Sequence, residues 1–176
     1  MRRRRWTPHP HRSAESVTSY NQPVIIRPYQ AQDFDELWQI DQQCFAAGIA
    51  YSRRELATFI NHYRAFTLVA GDGRFPIAGF IVAESDPAGA GHILTIDVRP
   101  QAQRTRCGSA LLQAAEQRLI KHGCKAVLLE TAVDNAAALA FYKRHGYAVL
   151  ETIPRYYLDS VDALVMGKHL TKAAKA

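Results

Sequence analysis

The sequence predicts an α/β domain: one mixed sheet with helices on both of its faces. Three observations carry that reading. Short runs of alternating, β-branched character are interleaved with longer runs of helical period. Three consecutive strands are joined through Gly- and Asp-rich turns, as in hairpins. A strand, a helix and a strand then succeed one another over residues 92–131, the order of a crossover that lays two strands parallel.

At 176 residues the chain has the size of a single domain, and 48% apolar residues suffice for a sizeable core. Residues 1–22 are polar and basic, with Arg2, Arg3, Arg4, Arg5 and Arg12 supplying much of the net charge of +6. They read as a disordered tail whose arginines can touch nucleic acid, although a plain solvated leader is the simpler account. His9 and His11 are too flexible a pair to hold a metal without further ligands. The folded domain is expected over residues 23–170, with a short tail at 171–176.

Within the domain, residues 24–27 are the first strand, closed by Pro28, which has no N–H for a ladder. Over residues 31–45 an apolar stripe of Phe34, Leu37, Ile40, Cys44 and Phe45 recurs at helical spacing, with Asp33 at the positive end of the dipole. Ser52 and Glu55 have the spacing of a capping box and open a second helix, residues 53–63. The segment between the helices, residues 46–51, is short and partly apolar and can border a cleft. Strands follow at 66–70 and 77–84, joined around Asp72-Gly73, a strong hairpin signal. A turn over residues 86–91 leads to a strand at 92–98, a helix from Gly108 to Lys121 and a strand at 125–131. Asn135 opens a helix that Gly146 closes. Residues 147–153 and 163–168 are a final strand pair, with residues 154–162 looping between them.

The three cysteines, Cys44, Cys107 and Cys124, are odd in number, form no CxxC and have no zinc spacing with histidine. No metal site is expected, and reduced thiols point to a cytoplasmic protein. No apolar run approaches a membrane span, and no apolar segment follows the arginine run as in a secretory signal.

The stretch from residue 92 to 121 organises the rest. It is a strand broken by Pro100, a basic turn, and a helix beginning at Gly108. The first N–H groups of a helix have no partner within it, and the dipole favours negative charge there. Arg104 and Arg106 add formal charge just before that end, so a phosphate or pyrophosphate is the expected guest.

Two blocks then stand in order. One is Ile96-Asp97-Val98-x-Pro100 with Gln103-Arg104-x-x-x-Gly108 and Ala110-Leu111-Leu112. The other is Leu129-Glu130-Thr131, Asn135 and Phe141-Tyr142-Lys143-x-x-Gly146-Tyr147. Together they resemble the GNAT superfamily of acetyl-CoA-dependent N-acetyltransferases over most of residues 23–170. Tyr156-Tyr157, Asp162-Ala163 and Met166 are similar to the ending of the branch that acetylates protein N-termini, the ribosomal-protein-alanine acetyltransferases above all.

The resemblance implies a GNAT-like, mostly antiparallel central sheet of about seven strands and acetyl-CoA as co-substrate, with no metal. Ile96, Asp97 and Val98 would hold the pantetheine arm through their main chain. Arg104, Thr105, Arg106, Cys107, Gly108 and Ser109 would hold the phosphates, with Asn135 a further cofactor contact. Cys107 takes no nucleophile role, because the family transfers acetyl directly.

Glu130 matches the proton acceptor of the alanine acetyltransferases, and partial burial would raise its pKa toward neutrality. His92 is its rival, at a strand position where other members place a catalytic group, and it titrates near neutrality unaided. The choice between them stays open. Tyr142 matches the donor to the departing thiolate, with Phe141 left to serve the core. Tyr156 and Tyr157 would border the acceptor. Arg106 stands where the family has its first loop glycine, and a backbone conformation that accepts any L-residue is the favoured account.

The expected activity is acetyl transfer to a primary amine, foremost the N-terminal amine of a protein, ribosomal proteins included. The same chemistry on a small amine, and a non-catalytic module binding acyl-CoA and a partner, are the alternatives.

Overall fold

The computed structural model describes residues 23–45 and 48–171. The expected tails at 1–22 and 172–176, and Ala46 and Ala47 of the expected cleft segment, lie outside the described residues.

The elements run in the order β1 (Ile25–Pro28), a 3₁₀ turn (Ala31–Asp33), α1 (Phe34–Cys44), α2 (Arg53–Ile60), β2 (Ala65–Gly71), β3 (Gly79–Ser85) and β4 (Ala90–Val98). A second 3₁₀ turn (Pro100–Ala102), α3 (Cys107–Lys121), β5 (Ala126–Ala132), α4 (Ala136–Arg144), β6 (Ala148–Tyr157) and β7 (Val161–His169) follow. The strands form one seven-stranded sheet in the order β1-β2-β3-β4-β5-β7-β6. Every neighbouring pair is antiparallel except β4 and β5, which α3 joins as a parallel crossover.

Each face of the sheet has its own core. On one face, Leu37 and Ile40 of α1 and Leu56 and Ile60 of α2 pack on Val69, Phe80 and Val82. On the other, Leu111, Leu112, Ala115 and Leu119 of α3 pack on Leu68, Ile81, Ile93 and Val127. This is the alternation of strand side chains at work, since Leu68 and Val69 are neighbours in sequence yet lie in opposite cores. Burying each such aliphatic side chain contributes roughly 1.5–3 kcal/mol before ordering costs. α4 adds Tyr142 to the α3 core.

The capping box forms as expected. The Glu55 N–H donates to Ser52 Oγ at 3.3 Å and the Ser52 N–H donates to Glu55 Oε2 at 2.9 Å. Asp33 does more than face a dipole. Its carboxylate accepts both guanidinium nitrogens of Arg27, at 2.7 and 2.8 Å, and the Gln30 N–H at 2.8 Å. That set ties β1 to the start of α1 and holds the carboxyl below its usual pKa, the Arg27 hydrogen bond being the largest cause. In the expected stripe of α1, Leu37 and Ile40 are buried, whereas Phe34, Cys44 and Phe45 are only half-buried. Asp41 is fully buried in their stead.

The loop expected over residues 154–162 is largely strand. β6 runs through Pro154 to Tyr157, and only residues 158–160 connect it to β7. Proline is tolerated there because β6 is an edge strand and its register against β7 slips between Ile153 and Tyr157. Within that slip Arg155 adopts φ 53° and its N–H donates to Asp162 Oδ1 at 2.8 Å instead of to the ladder.

Candidate active site

The site forms where β4 and β5 part. The two strands pair only through Ala90↔Ala126, Gly91↔Val127 and His92↔Leu128. Beyond His92, β4 keeps β3 as its partner while β5 keeps β7. A bulge drives the divergence: Ala83 pairs with Ile93 and Val82 with Thr95, leaving Leu94 as an extra residue on β4. Alternate backbone groups of β4 past His92 therefore face an open wedge. Three side chains reach its carbonyls. Tyr51 Oη donates to the Leu94 C=O at 3.4 Å, and the Gln103 amide and the Cys44 thiol both donate to the Val98 C=O, at 3.2 and 3.3 Å. Ile96 and Val98 turn their side chains into the α3 core, which leaves their main chain as what a ligand in the wedge can meet.

At the mouth of the wedge lie His92 and Glu130. Glu130 stands two residues beyond Leu128, the register partner of His92, and so on the same face of the sheet. His92 Nε2 and Glu130 Oε2 are 2.7 Å apart. The imidazole is held above its ordinary pKa, first by that hydrogen bond and against the opposing effect of burial, with Glu84 adding a weaker attraction. The two rival candidates for general base are thus one hydrogen-bonded pair. Tyr156 and Tyr157 meet edge to face at 5.0 Å between ring centres. Burial, and then neighbours that include Glu130, raise both phenols, that of Tyr157 to about 12.

Tyr142 is 7% exposed, and burial is the main reason its phenol lies well above the ordinary tyrosine range, with Asp97 and Tyr157 adding repulsion. The division of labour on α4 differs from expectation. Tyr142 is the deeper ring, and the half-buried Phe141 lies against Gly108, where an added Cβ would meet the ring at 3.4 Å. The bare Gly108 lets α4 settle onto the start of α3. Asn135 caps α4, its Oδ1 accepting the Ala138 N–H at 3.1 Å.

The basic turn closes the other end. The Ala110 N–H makes the first helical bond of α3, to the Arg106 C=O at 2.9 Å, so the amides of Cys107, Gly108 and Ser109 precede it. Thr105 Oγ1 donates to the Ala102 C=O at 2.6 Å, and Ser109 Oγ lies 3.0 Å from His145 Nε2. Cys107 is 1% exposed, and burial pushes its thiol up, so only its main chain faces the turn. Arg104 and Arg106 both hold left-handed backbone, at φ 63° and 73°. The account in which any L-residue suits position 106 is thereby corrected. Arg106 occupies the region that favours glycine, at a cost of roughly 1–2 kcal/mol.

Sequence reasoning named Asp97 only for its main chain, and missed its buried carboxyl together with Asp41 and Tyr51 under this surface. Asp97 is 1% exposed and accepts Thr95 Oγ1 at 2.9 Å through Oδ1, while its Oδ2 has no partner among the described residues. Asp41 is fully buried and accepts the Tyr51 N–H at 2.9 Å through Oδ2, while its Oδ1 has no partner among the described residues. Burial first, and repulsion from Asp41 second, raise Asp97 to about 8. Burial raises Asp41 to about 6. Both acids lie on the α1 side, and the main chain of Asp97 is in register with Phe80 of β3, so the groups of β4 that face the wedge are those of its neighbours Ile96 and Val98. The one available signal was an acid in the alternating pattern of β4, at a position that alternation buries.

Among the described residues, no three or more His, Cys, Asp or Glu are grouped to hold a metal ion, and no helix is long and apolar enough to cross a membrane. Residues 31–147 match the Acetyltransferase (GNAT) family. An uncharacterised N-acetyltransferase of Methanocaldococcus jannaschii is 31% identical over 147 residues, covering 82% of this chain and 91% of that one. N-alpha-acetyltransferase 30 of Schizosaccharomyces pombe is 29% identical over 143 residues, covering 80% and 94%. The crystal structure of the ribosomal-protein-S18-alanine N-acetyltransferase of Escherichia coli superposes with a TM-score of 0.76 at 24% identity, covering 87% and 97%.

Two stability measurements check this geometry. The folded chain keeps a proton on Asp97 up to about pH 8, whereas an ordinary aspartate releases it near 3.8. The folded state therefore binds the extra proton between those values, and stability falls as pH rises through that window and levels off above it. Asp97→Asn keeps a neutral side chain, so its Tm advantage over the wild type should grow from pH 4 to pH 8. A constant difference would contradict the buried acid. Arg106→Gly relieves the left-handed strain and should raise stability by up to about 1 kcal/mol in denaturant unfolding, part of the relief being offset by glycine's freedom in the unfolded chain. A loss of stability would contradict it.

Proposed function

The chain belongs to the GNAT acetyltransferase family, and from that membership we propose that it transfers acetyl from acetyl-CoA to the N-terminal amine of a protein. The observation that carries this reading is the His92–Glu130 contact of 2.7 Å at the mouth of the β4/β5 wedge.

Acetyl transfer needs a held thioester, a neutral amine, and stabilisation of the oxygen and sulfur that take up charge. In this reading the pantetheine arm lies in the wedge against the main chain of Ile96, Asp97 and Val98, as an added strand would. The diphosphate sits on the amides of Cys107, Gly108 and Ser109, with Thr105, Arg104, Arg106 and Asn135 close by. His92, hydrogen-bonded to Glu130, takes the proton of the incoming ammonium. The freed amine attacks the thioester carbonyl, the carbon–sulfur bond breaks, the acetyl group ends on nitrogen, and the second proton that nitrogen loses neutralises the departing thiolate as coenzyme A thiol. Tyr142 stays protonated across the working pH range. Its phenol is a weaker acid than a thiol, so it steadies the departing thiolate mainly as a hydrogen-bond donor.

The acceptor is drawn from the rim. Tyr156 and Tyr157 stand beside Glu130 and can hold the backbone of a peptide's first residues. The yeast relative is an N-alpha-acetyltransferase, which supports the same class of acceptor for this chain. The free thiols of Cys44, Cys107 and Cys124 fit a reducing cytoplasm.

Turnover on a panel of peptides, including alanine-starting ribosomal ones, and of small amines tests the acceptor; exclusive use of small amines would contradict it. Glu130→Gln and Tyr142→Phe should each lose about 10²-fold or more in kcat while keeping coenzyme A affinity. The acid limb of kcat/KM should fall above 6.5, the ordinary histidine value, because His92 is raised in the free enzyme. Unchanged rates in both variants, or an acid limb at a carboxylate pH, would reject these roles.

A further inference from the structure

Glu84 lies on β3 directly across from His92 on β4 in the sheet register. Its carboxylate is divided between two imidazoles. Oε2 is 2.8 Å from His62 Nδ1, just past the end of α2, and Oε1 is 3.9 Å from His92 Nδ1. The other ring nitrogen of His92 is taken by Glu130. His92 is therefore flanked by a carboxylate on each side, a contact on β5 and a looser one on β3. The charged or titratable groups around it are Glu130 from β5, Glu84 from β3, His62 behind Glu84, and Tyr156 and Tyr157 of β6 beyond Glu130.

We infer that Glu84, oriented by His62, is a positioning residue that sets the proton affinity of the His92–Glu130 pair. The inference rests on the reading of that pair as the general base. The physical reason is short. A negative charge about 4 Å from Nδ1 favours the imidazolium, by an amount that water at these half-exposed side chains moderates. His62 fixes the direction of the effect. By holding Oε2 it keeps the carboxylate from swinging to solvent and leaves Oε1 turned toward His92.

The consequence concerns which amine is served. Proton transfer is most effective when base and donor have similar proton affinity. An α-amine titrates near 7.7–8.0 and a lysine near 10.4, whereas an isolated histidine titrates near 6.5. A second carboxylate moves His92 upward from the ordinary histidine value, in the direction of the α-amine.

The test is an NMR titration of the His92 ring in the full chain, with the signal assigned by its loss in His92→Gln. Glu84→Gln should lower the His92 midpoint by about half to one pH unit. Glu130→Gln should lower it further, and the acid limb of turnover in Glu84→Gln should move down in parallel. A midpoint unmoved by Glu84→Gln but lowered by Glu130→Gln would overturn the role of Glu84 and leave the pair standing. A midpoint unmoved by either would overturn both. A midpoint that moves while the acid limb stays put would overturn the link between Glu84 and catalysis.

Discussion

The parting of two parallel strands after three residue pairs is the constraint on which this molecule turns. A parallel pair is normally stitched along its length, because unpaired backbone groups inside a fold are costly. Here one extra residue, Leu94, bends β4 away from β5 and opens its main chain to a wedge. The fold tolerates the opening because each strand keeps a full antiparallel partner on its other side. The same bulge resets the facing of side chains. Ile96 and Val98 go to the α3 core, Thr95 and Asp97 go to the α1 side, and the main chain between them is left for a ligand.

The chemistry around the wedge is divided by depth. At the surface His92, Glu130 and Glu84 form a charged, titratable group across three adjacent strands. Below it Asp97 and Asp41 are buried, each with one oxygen that has no partner among the described residues. Burial favours their neutral forms, which destabilises the fold as pH rises. The basic turn adds two arginines in left-handed backbone. Buried acids and left-handed residues thus lie near the wedge, at a cost the two apolar cores offset.

Much of the scaffold was legible because local signals and tertiary outcome agree. The capping box at Ser52 forms, the helix after the basic turn starts at Cys107, and the crossover from β4 to β5 is parallel. The seven-stranded, mostly antiparallel sheet that the family resemblance implied is present. The site was legible only in its residue types. Glu130 and His92 read as rivals because sequence carries no register, and register is what sets them 2.7 Å apart. Glu84 and His62 were invisible for a related reason, since cross-strand pairing brings Glu84 to His92 and the packing of the turn after α2 brings His62 to Glu84. Pro154 read as a loop because proline forbids ladder donation, yet an edge strand with slipped register has no need of that donor. Phe141 and Tyr142 exchanged depth because the missing side chain at Gly108 admits the phenylalanine ring.

The wedge itself is most directly examined by backbone hydrogen exchange with and without coenzyme A. If the wedge is where the pantetheine arm lies, amides along residues 93–98 and those of Cys107, Gly108 and Ser109 should be protected together on adding the ligand. Amides at the far edge, in β1 and β2, should keep their rates. Protection confined to the basic turn, with residues 93–98 unchanged at saturating coenzyme A, would contradict the account.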